Sequence, residues 1–210
     1  MITRNLLAML LIAWPDPEMR AGEVTTTYEI TLNGQKFNVN TESATNVIVN
    51  GMTLKLSARE NPEKTFSDGN IAFNFPATHA VSKEIEDEVT TWTLDGQDNI
   101  LILLKMTGVD PADVGKETIR NLKRQYGTKS KLSDCKLALG GEMFSGKKIT
   151  ATLAGATISQ EVYELKAGSD GYLLLVQDSG ETESAETRTA KALLKQSFKR
   201  TAVSEAETAK

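Results

Sequence analysis

"TTWTLDGQDNILILLKM", from Thr90 to Met106, is the stretch on which the fold turns. Its first arm, Thr90 to Leu94, is rich in the β-branched and aromatic residues that suit a half-buried strand. Asp95 to Asn99 carries the Asp, Gly and Asn of a turn. The second arm, Ile100 to Met106, is apolar at successive positions and therefore on both of its faces. A strand of that kind lies centrally in a sheet with a covering layer on each side. The rest of the chain has to supply its neighbours and its covers.

Candidate neighbours occur on both sides of this hairpin. Upstream, Thr25 to Leu32 alternates, Asn33-Gly34 follows, and Gln35 to Val39 alternates back. A two-residue Asn-Gly turn places Ile30 opposite Phe37 and Tyr28 opposite Val39. The same grammar returns in Val47 to Val49, Asn50-Gly51 and Met52 to Leu56, with Val49 opposite Met52 and Val47 opposite Leu54. Two such hairpins in succession predict an antiparallel meander. Ser57 to Asn70 is polar, holds Pro62 and Gly69, and reads as a loop or a short frayed helix. Ile71 to Pro76 reads as a strand ended by its proline. Downstream strands are expected at Lys131 to Leu139, Lys148 to Leu153, Ala156 to Lys166 and Tyr172 to Gln177.

Two helices supply the covers. Asp110-Pro111-Ala112-Asp113 combines an N-cap, a proline at the first helical position and an acidic first turn, while Lys123, Arg124 and Gly127 mark the other end. Val114, Thr118, Ile119, Leu122 and Tyr126 form its apolar stripe. The second helix runs from about Thr182 to Phe198, acidic early at Glu181, Glu183 and Glu186 and basic late at Lys191, Lys195 and Lys199. Ala190, Leu193, Leu194, Ser197 and Phe198 fall on one face at helical spacing. The expected class is α+β: an antiparallel β-sheet covered by two α-helices, preceded by β-hairpins.

The order from Ile71 to Arg200, with "DPADVGKETIRNLKRQYG" opening one helix and "GYLLLVQDSGE" leading into another that ends "LLKQSFKR", resembles the α/β/α sandwich of the photosystem PsbP proteins, the bacterial DcrB-like lipoproteins and the Ran-binding Mog proteins. Phe75-Pro76-Ala77 and Ser197-Phe198 match the group's strand end and its late helical pair, whereas His79-Ala80-Val81 stands where the family has a tryptophan. The resemblance covers about residues 71–200 and implies a non-enzymatic interaction role. It names no partner.

The amino terminus bears on location. A single Arg4 precedes the apolar run Leu6 to Trp14, which Pro15-Asp16-Pro17 closes. That is the layout of a secretory signal peptide, and the run is about half the ~20 residues that a membrane-spanning helix needs. No cysteine follows it, so no lipid anchor is expected. The expected organisation is a signal peptide at 1–21, a β-hairpin region at 22–70, a sandwich domain at 71–200 and a disordered tail at 201–210. The protein is then periplasmic or extracellular, with no membrane anchor.

Bulk composition removes several function classes. With 24 basic and 28 acidic residues the net charge is -4, and no basic face is gathered for a nucleic-acid backbone. One cysteine and one histidine cannot form an internal disulfide or a multi-histidine metal site. No cofactor and no metal are expected. The partner expected is another envelope or extracellular protein.

"GGEMFSGKK", Gly140 to Lys148, comes within a residue of a nucleotide-binding loop. Such a loop needs a helix to begin at its lysine and a hydroxyl for magnesium, but Lys148 holds the hydroxyl position and Ile149 to Gly155 favours strand. The stretch is therefore expected to be a turn between strands, with Met143, Phe144, Lys147 and Lys148 as a contact patch on its rim. Asp178 is expected to cap the second helix, with Glu181 in capping-box position. His79 reads as a surface or loop residue, Cys135 as a small buried hydrophobe, and Glu84, Glu86, Asp87 and Glu88 as a solvated acidic run. No catalytic residue is assigned. The functional expectation is an exported, non-catalytic binding or assembly protein; the alternative is an exported hydrolase-like enzyme using His79 and distant carboxylates.

Overall fold

Asparagine followed by glycine tolerates two successive left-handed residues, as a tight two-residue hairpin turn requires. Asn33 and Gly34 take φ of 48° and 80°, and Asn50 and Gly51 take 50° and 78°. The first pair joins β1 (Thr27–Leu32) to β2 (Gln35–Asn40), and the second joins β3 (Thr45–Val49) to β4 (Met52–Leu56). Their registers match the expectation: Ile30 faces Phe37, Tyr28 faces Val39, Val49 faces Met52 and Val47 faces Leu54. The computed structural model describes residues 27–40, 44–59, 61–180 and 182–201. The amino-terminal apolar run, Thr25, Thr26, Glu181 and the tail from Ala202 lie outside the described residues.

The chain divides into two units between Asn61 and Pro62. In the first, each hairpin forms a two-stranded sheet of its own, so the expected meander is not a continuous ladder. Each Asn-Gly turn fixes pairing inside its hairpin.

The second unit is built on a seven-stranded antiparallel sheet. Its strands are β7 (Ala80–Glu86), β8 (Val89–Asp95), β9 (Asn99–Thr107), β10 (Lys131–Leu139), β11 (Glu142–Leu153), β12 (Ala156–Ala167) and β13 (Asp170–Ser179). Their spatial order is β10-β11-β12-β13-β9-β8-β7, and β9 lies inside it as its double-sided apolar pattern demands. Leu103 faces Trp92 on one side and Leu174 on the other. A smaller antiparallel sheet forms from β5 (Glu63–Ser67), β6 (Ile71–Pro76) and β14 (Lys199–Arg200), in the order β14-β6-β5.

Strand alternation sends side chains to two faces. Leu101, Leu103, Tyr163, Leu165, Tyr172, Leu174 and Val176 point into the main core. They meet Phe66, Ile71, Phe73 and Phe75 of the small sheet, together with Ala190, Leu194 and Phe198. Ala190 and Leu194 belong to α2 (Ala185–Ser197), which shares this second layer and packs against β6 and β10. The opposite face is covered by α1 (Pro111–Tyr126), packed against β11, β12 and β13. Its ends follow the sequence signals: Asp110 accepts the N–H of Ala112, and the N–H of Gly127 bonds Lys123.

The architecture is thus α+β, mostly antiparallel strands with two helices. The expected α/β/α layering is corrected to a mainly β sandwich, because one cover is part sheet and part helix. Three strands were not legible, the shortest being β14, whose two residues pair with Ile71 and Ala72. Glu63–Ser67, expected as loop or frayed helix, is held as a strand by one apolar residue, Phe66, stacked on Phe73 at 5.0 Å and edge-on to Trp92 at 5.2 Å. β7 is terminal in the sheet among the described residues, and its alternating residues are exposed on both faces, so no burial pattern marks it.

The second helix begins three residues later than expected. Ser184 is its N-cap, its Oγ accepting the N–H of Thr187 at 3.0 Å. Asp178 lies one step further back and accepts the N–H of Ser184 at 2.9 Å, so it supports the cap without being it. At the far end Ser197 donates its hydroxyl to Leu193 and accepts the N–H of Asn74 at 2.7 Å, tying helix to small sheet.

Candidate functional site

Pro76 ends β6 and starts a turn that the N–H of His79 closes onto the Pro76 carbonyl at 3.1 Å. This turn carries His79 inward. The imidazole has 0% exposure, which corrects its reading as a surface or loop residue. Nε2 lies 2.8 Å from Asn99 Oδ1 and donates to it, while Nδ1 faces Glu186 Oε1 at 3.9 Å, beyond hydrogen-bond reach. Among the described residues, Nδ1 and the Asn99 amide nitrogen have no hydrogen-bond partner, and neither does Asp178 Oδ1 on the neighbouring strand.

Glu186, from the first turn of α2, is the organising residue of this cluster. Its Oε2 accepts two backbone N–H groups of the β8–β9 turn, from Asp98 at 2.6 Å and Asn99 at 3.2 Å. The turn must be bare for the carboxylate to enter: a Cβ on Gly96 would stand 2.6 Å from Asn99 Oδ1 and 2.8 Å from Glu186 Cδ. Nearby, burial holds the Asp95 carboxyl above its ordinary value, with His79 opposing and Glu186 reinforcing the shift. The structure therefore brings together the histidine and distant carboxylates that an acid–base site would use. A buried imidazole, however, presents no atom to a substrate. Sequence reasoning missed Glu186 and Asn99, because a glutamate in a helix's first turn and an asparagine in a hairpin turn both have sufficient local explanations.

The "GGEMFSGKK" stretch is mostly strand. Gly140 and Gly141, with φ of 55° and 90°, make the whole turn, and β11 starts at Glu142 instead of near Lys148. Lys148 continues into strand where a nucleotide loop would start its helix. Alternation separates the four rim residues into two pairs. Met143 and Lys147 lie on one face, Met143 exposed and Lys147 paired with Asp134. Phe144 and Lys148 lie on the other: Phe144 meets Phe198 edge-on at 6.4 Å beneath the Arg200 guanidinium, and Lys148 reaches Glu161 at 3.4 Å.

Glu161 anchors a buried network on this core-facing side. Lys191 lies 2.8 Å away and Tyr163 donates its hydroxyl at 2.6 Å. Burial alone would raise the Glu161 carboxyl, but Lys191, Tyr163 and Lys148 outweigh it and hold the group below the ordinary glutamate value of 4.5. Asp68 behaves alike: burial is outweighed by the N–H groups of Ile71 and Asn70, the Tyr172 hydroxyl and Lys105, leaving it below 3.8. A carboxylate whose folded value is depressed contributes stability that is complete above its unfolded value and lost as pH falls through its folded one. Denaturant midpoints are therefore expected to hold constant from about pH 7 to 5 and then fall steadily toward pH 2. Glu161→Gln should flatten part of that fall.

The remaining candidates are quickly placed. Burial pushes the Cys135 thiol up, with a smaller opposing contribution from Tyr163, so the thiol is not activated as a nucleophile. Glu84, Glu86, Asp87 and Glu88 lie on β7 and its turn. Among the described residues, no group of three or more His, Cys, Asp or Glu side chains could hold a metal ion. Among the same residues, no helix is long and apolar enough to cross a membrane, which says nothing of strands.

No family model matches the sequence, and no curated protein matches it. Solved structures that are similar include a protein of Bacteroides thetaiotaomicron, at 14% identity and TM-score 0.42 over 68% of this chain and 50% of that one. LpqN, involved in cell envelope biogenesis of Mycobacterium tuberculosis, is similar at 19% identity and TM-score 0.40, over 67% of this chain and 91% of its own. The Ran-binding protein Mog1p of Saccharomyces cerevisiae is similar at 11% identity and TM-score 0.42, over 66% and 95%. This chain spans half the length of the Bacteroides structure. Likenesses at this level carry no conclusion about activity or partner.

Proposed function

We propose that this chain is an exported, non-catalytic binding or assembly protein, with a signal peptide at residues 1–21 and another envelope or extracellular protein as its partner. The observation that carries this reading is the contrast between what the fold hides and what it displays. His79 is enclosed and bonded to Asn99, whereas large apolar side chains stand outward on the sheet's margins, among them Met143 at 63% exposure. The layout of the amino terminus supports export. The resemblance over residues 71–200 to the PsbP- and DcrB-like sandwich proteins supports an interaction role.

Met143, Phe144, Lys147 and Lys148 form the proposed contact patch on β11. Met143 and Lys147 face outward together, while Phe144 and Lys148 brace the strand from the other side. Affinity capture of the full-length protein from its own envelope fraction tests the reading. A reproducible protein partner is expected, lost on Met143→Glu with Lys147→Glu in a chain that still folds. Retention of a small molecule that the protein consumes, with turnover lost in a folded His79 variant, would replace this reading with the hydrolase-like one.

A further inference from the structure

We propose that β7 is a docking edge for an extended, basic segment of a partner protein, which adds to the seven-stranded sheet as an eighth strand. This inference rests on the binding reading above and supplies the class of partner. β7 is terminal in the sheet, paired with β8 on one side only among the described residues. A terminal strand offers a row of backbone donors and acceptors to any chain that lies alongside, and natural proteins usually blunt it. Here six of the seven residues are exposed, and two of them are large and apolar: Val81 at 51% and Ile85 at 68%.

Charge decides the occupant. Alternation puts Val81, Lys83 and Ile85 on one face and Ser82 and Glu84 on the other. Lys83 is the strand's own basic residue, and it is drawn back over the Trp92 ring, 5.5 Å from the centroid. Glu84 and, in the following turn, Asp87 and Glu88 stand exposed. The edge is therefore apolar on one face and acidic on the other. It fits a partner strand that alternates apolar residues, set beside Val81 and Ile85, with lysine or arginine set beside Glu84.

A second copy of this chain fits poorly in the register that would pair the whole of Ala80–Glu86. Antiparallel self-pairing centred on Lys83 sets Lys83 against Lys83, and pairing centred on Glu84 sets Glu84 against Glu84; like charges directly opposite are destabilising.

Three synthetic heptapeptides test this against the full chain: alternating Val and Lys, alternating Val and Glu, and the Val-Lys composition interrupted by a central proline. Amide hydrogen exchange is the readout. The Val-Lys peptide is expected to slow exchange across Ala80–Glu86 by about tenfold or more at low salt, weakening as salt screens the acidic face. The other two peptides are expected to have no effect, and Val81→Lys with Ile85→Lys abolishes the protection while leaving the melting transition unchanged. Equal protection by the Val-Glu peptide, protection at another strand, or protection that appears with protein concentration alone would overturn the proposal. A captured envelope partner that survives the Val81→Lys, Ile85→Lys pair also overturns it while leaving the binding reading intact. A wild-type chain that captures nothing but responds to the Val-Lys peptide removes the binding reading and keeps the edge.

Discussion

His79→Ala is expected to destabilise the protein by about 3 kcal/mol, seen as a lower urea midpoint with an unchanged slope. Two contributions add. Removing a ring with 0% exposure leaves a void that neighbours such as Phe75, 6.4 Å away between centroids, fill only in part. It also strips the Asn99 side-chain carbonyl of its donor, in an amide whose nitrogen already lacks a partner among the described residues. An unsatisfied buried polar group costs about 1–3 kcal/mol by itself. Glu186→Gln loosens the same cluster from the other side, since a neutral amide oxygen is a weaker acceptor for the Asp98 and Asn99 N–H groups. A midpoint at the wild-type value in His79→Ala would show that the imidazole is not part of the packing.

The second large effect is expected at Lys105. Its Nζ lies 2.8 Å from Asp170 and 3.4 Å from Asp68, so it holds two nearly enclosed carboxylates with one charge. Bonding to Asp170 foremost, against the cost of burial, raises its ammonium above the usual lysine range. Asp170 also accepts from Asn70 and Thr107, and Asp68 from Tyr172. Lys105→Ala leaves that acceptor-rich pocket without its cation, at a cost of about 3–5 kcal/mol near neutral pH. The penalty should shrink on acidification, because Lys105 is one of the groups that hold the Asp68 carboxyl below its ordinary value, and without it that carboxyl takes up its proton more readily. Unfolding titrations of both proteins near pH 7 and pH 4 check this, and a difference that does not narrow would point to lost packing alone.

Much of the framework was readable in the sequence because it is written in local chemistry. Asn33-Gly34 and Asn50-Gly51 set their own registers, Asp110-Pro111 and Gly127 delimit α1, and Ile100 to Met106 announces a central strand. What escaped depends on distant partners. Phe66 identifies a strand only once Phe73 and Trp92 are known to lie against it. His79 looks like a loop residue until Asn99 and Glu186 close around it from residues 20 and about a hundred positions away. The turn in "GGEMFSGKK" was drawn too long, since Gly146 and the charged residues hide an alternation that only the pairing with Lys131–Leu139 makes visible. The paired faces of β11 follow from that register and not from composition.

The small sheet has a consequence for the order of events in folding. β6 gains its second partner strand, β14, and the Ser197 hydroxyl from across 123 residues, and Thr201 closes back onto Asn70. Hairpins such as β8–β9 close over short loops within microseconds, but contacts this distant in sequence must wait for slow loop closure. A chain made from its amino end therefore exposes Phe66, Phe73 and Phe75 until its last helix and strand are free to arrive. The carboxy-terminal stretch from Ala185 to Thr201 acts as the timer that decides when the core is sealed.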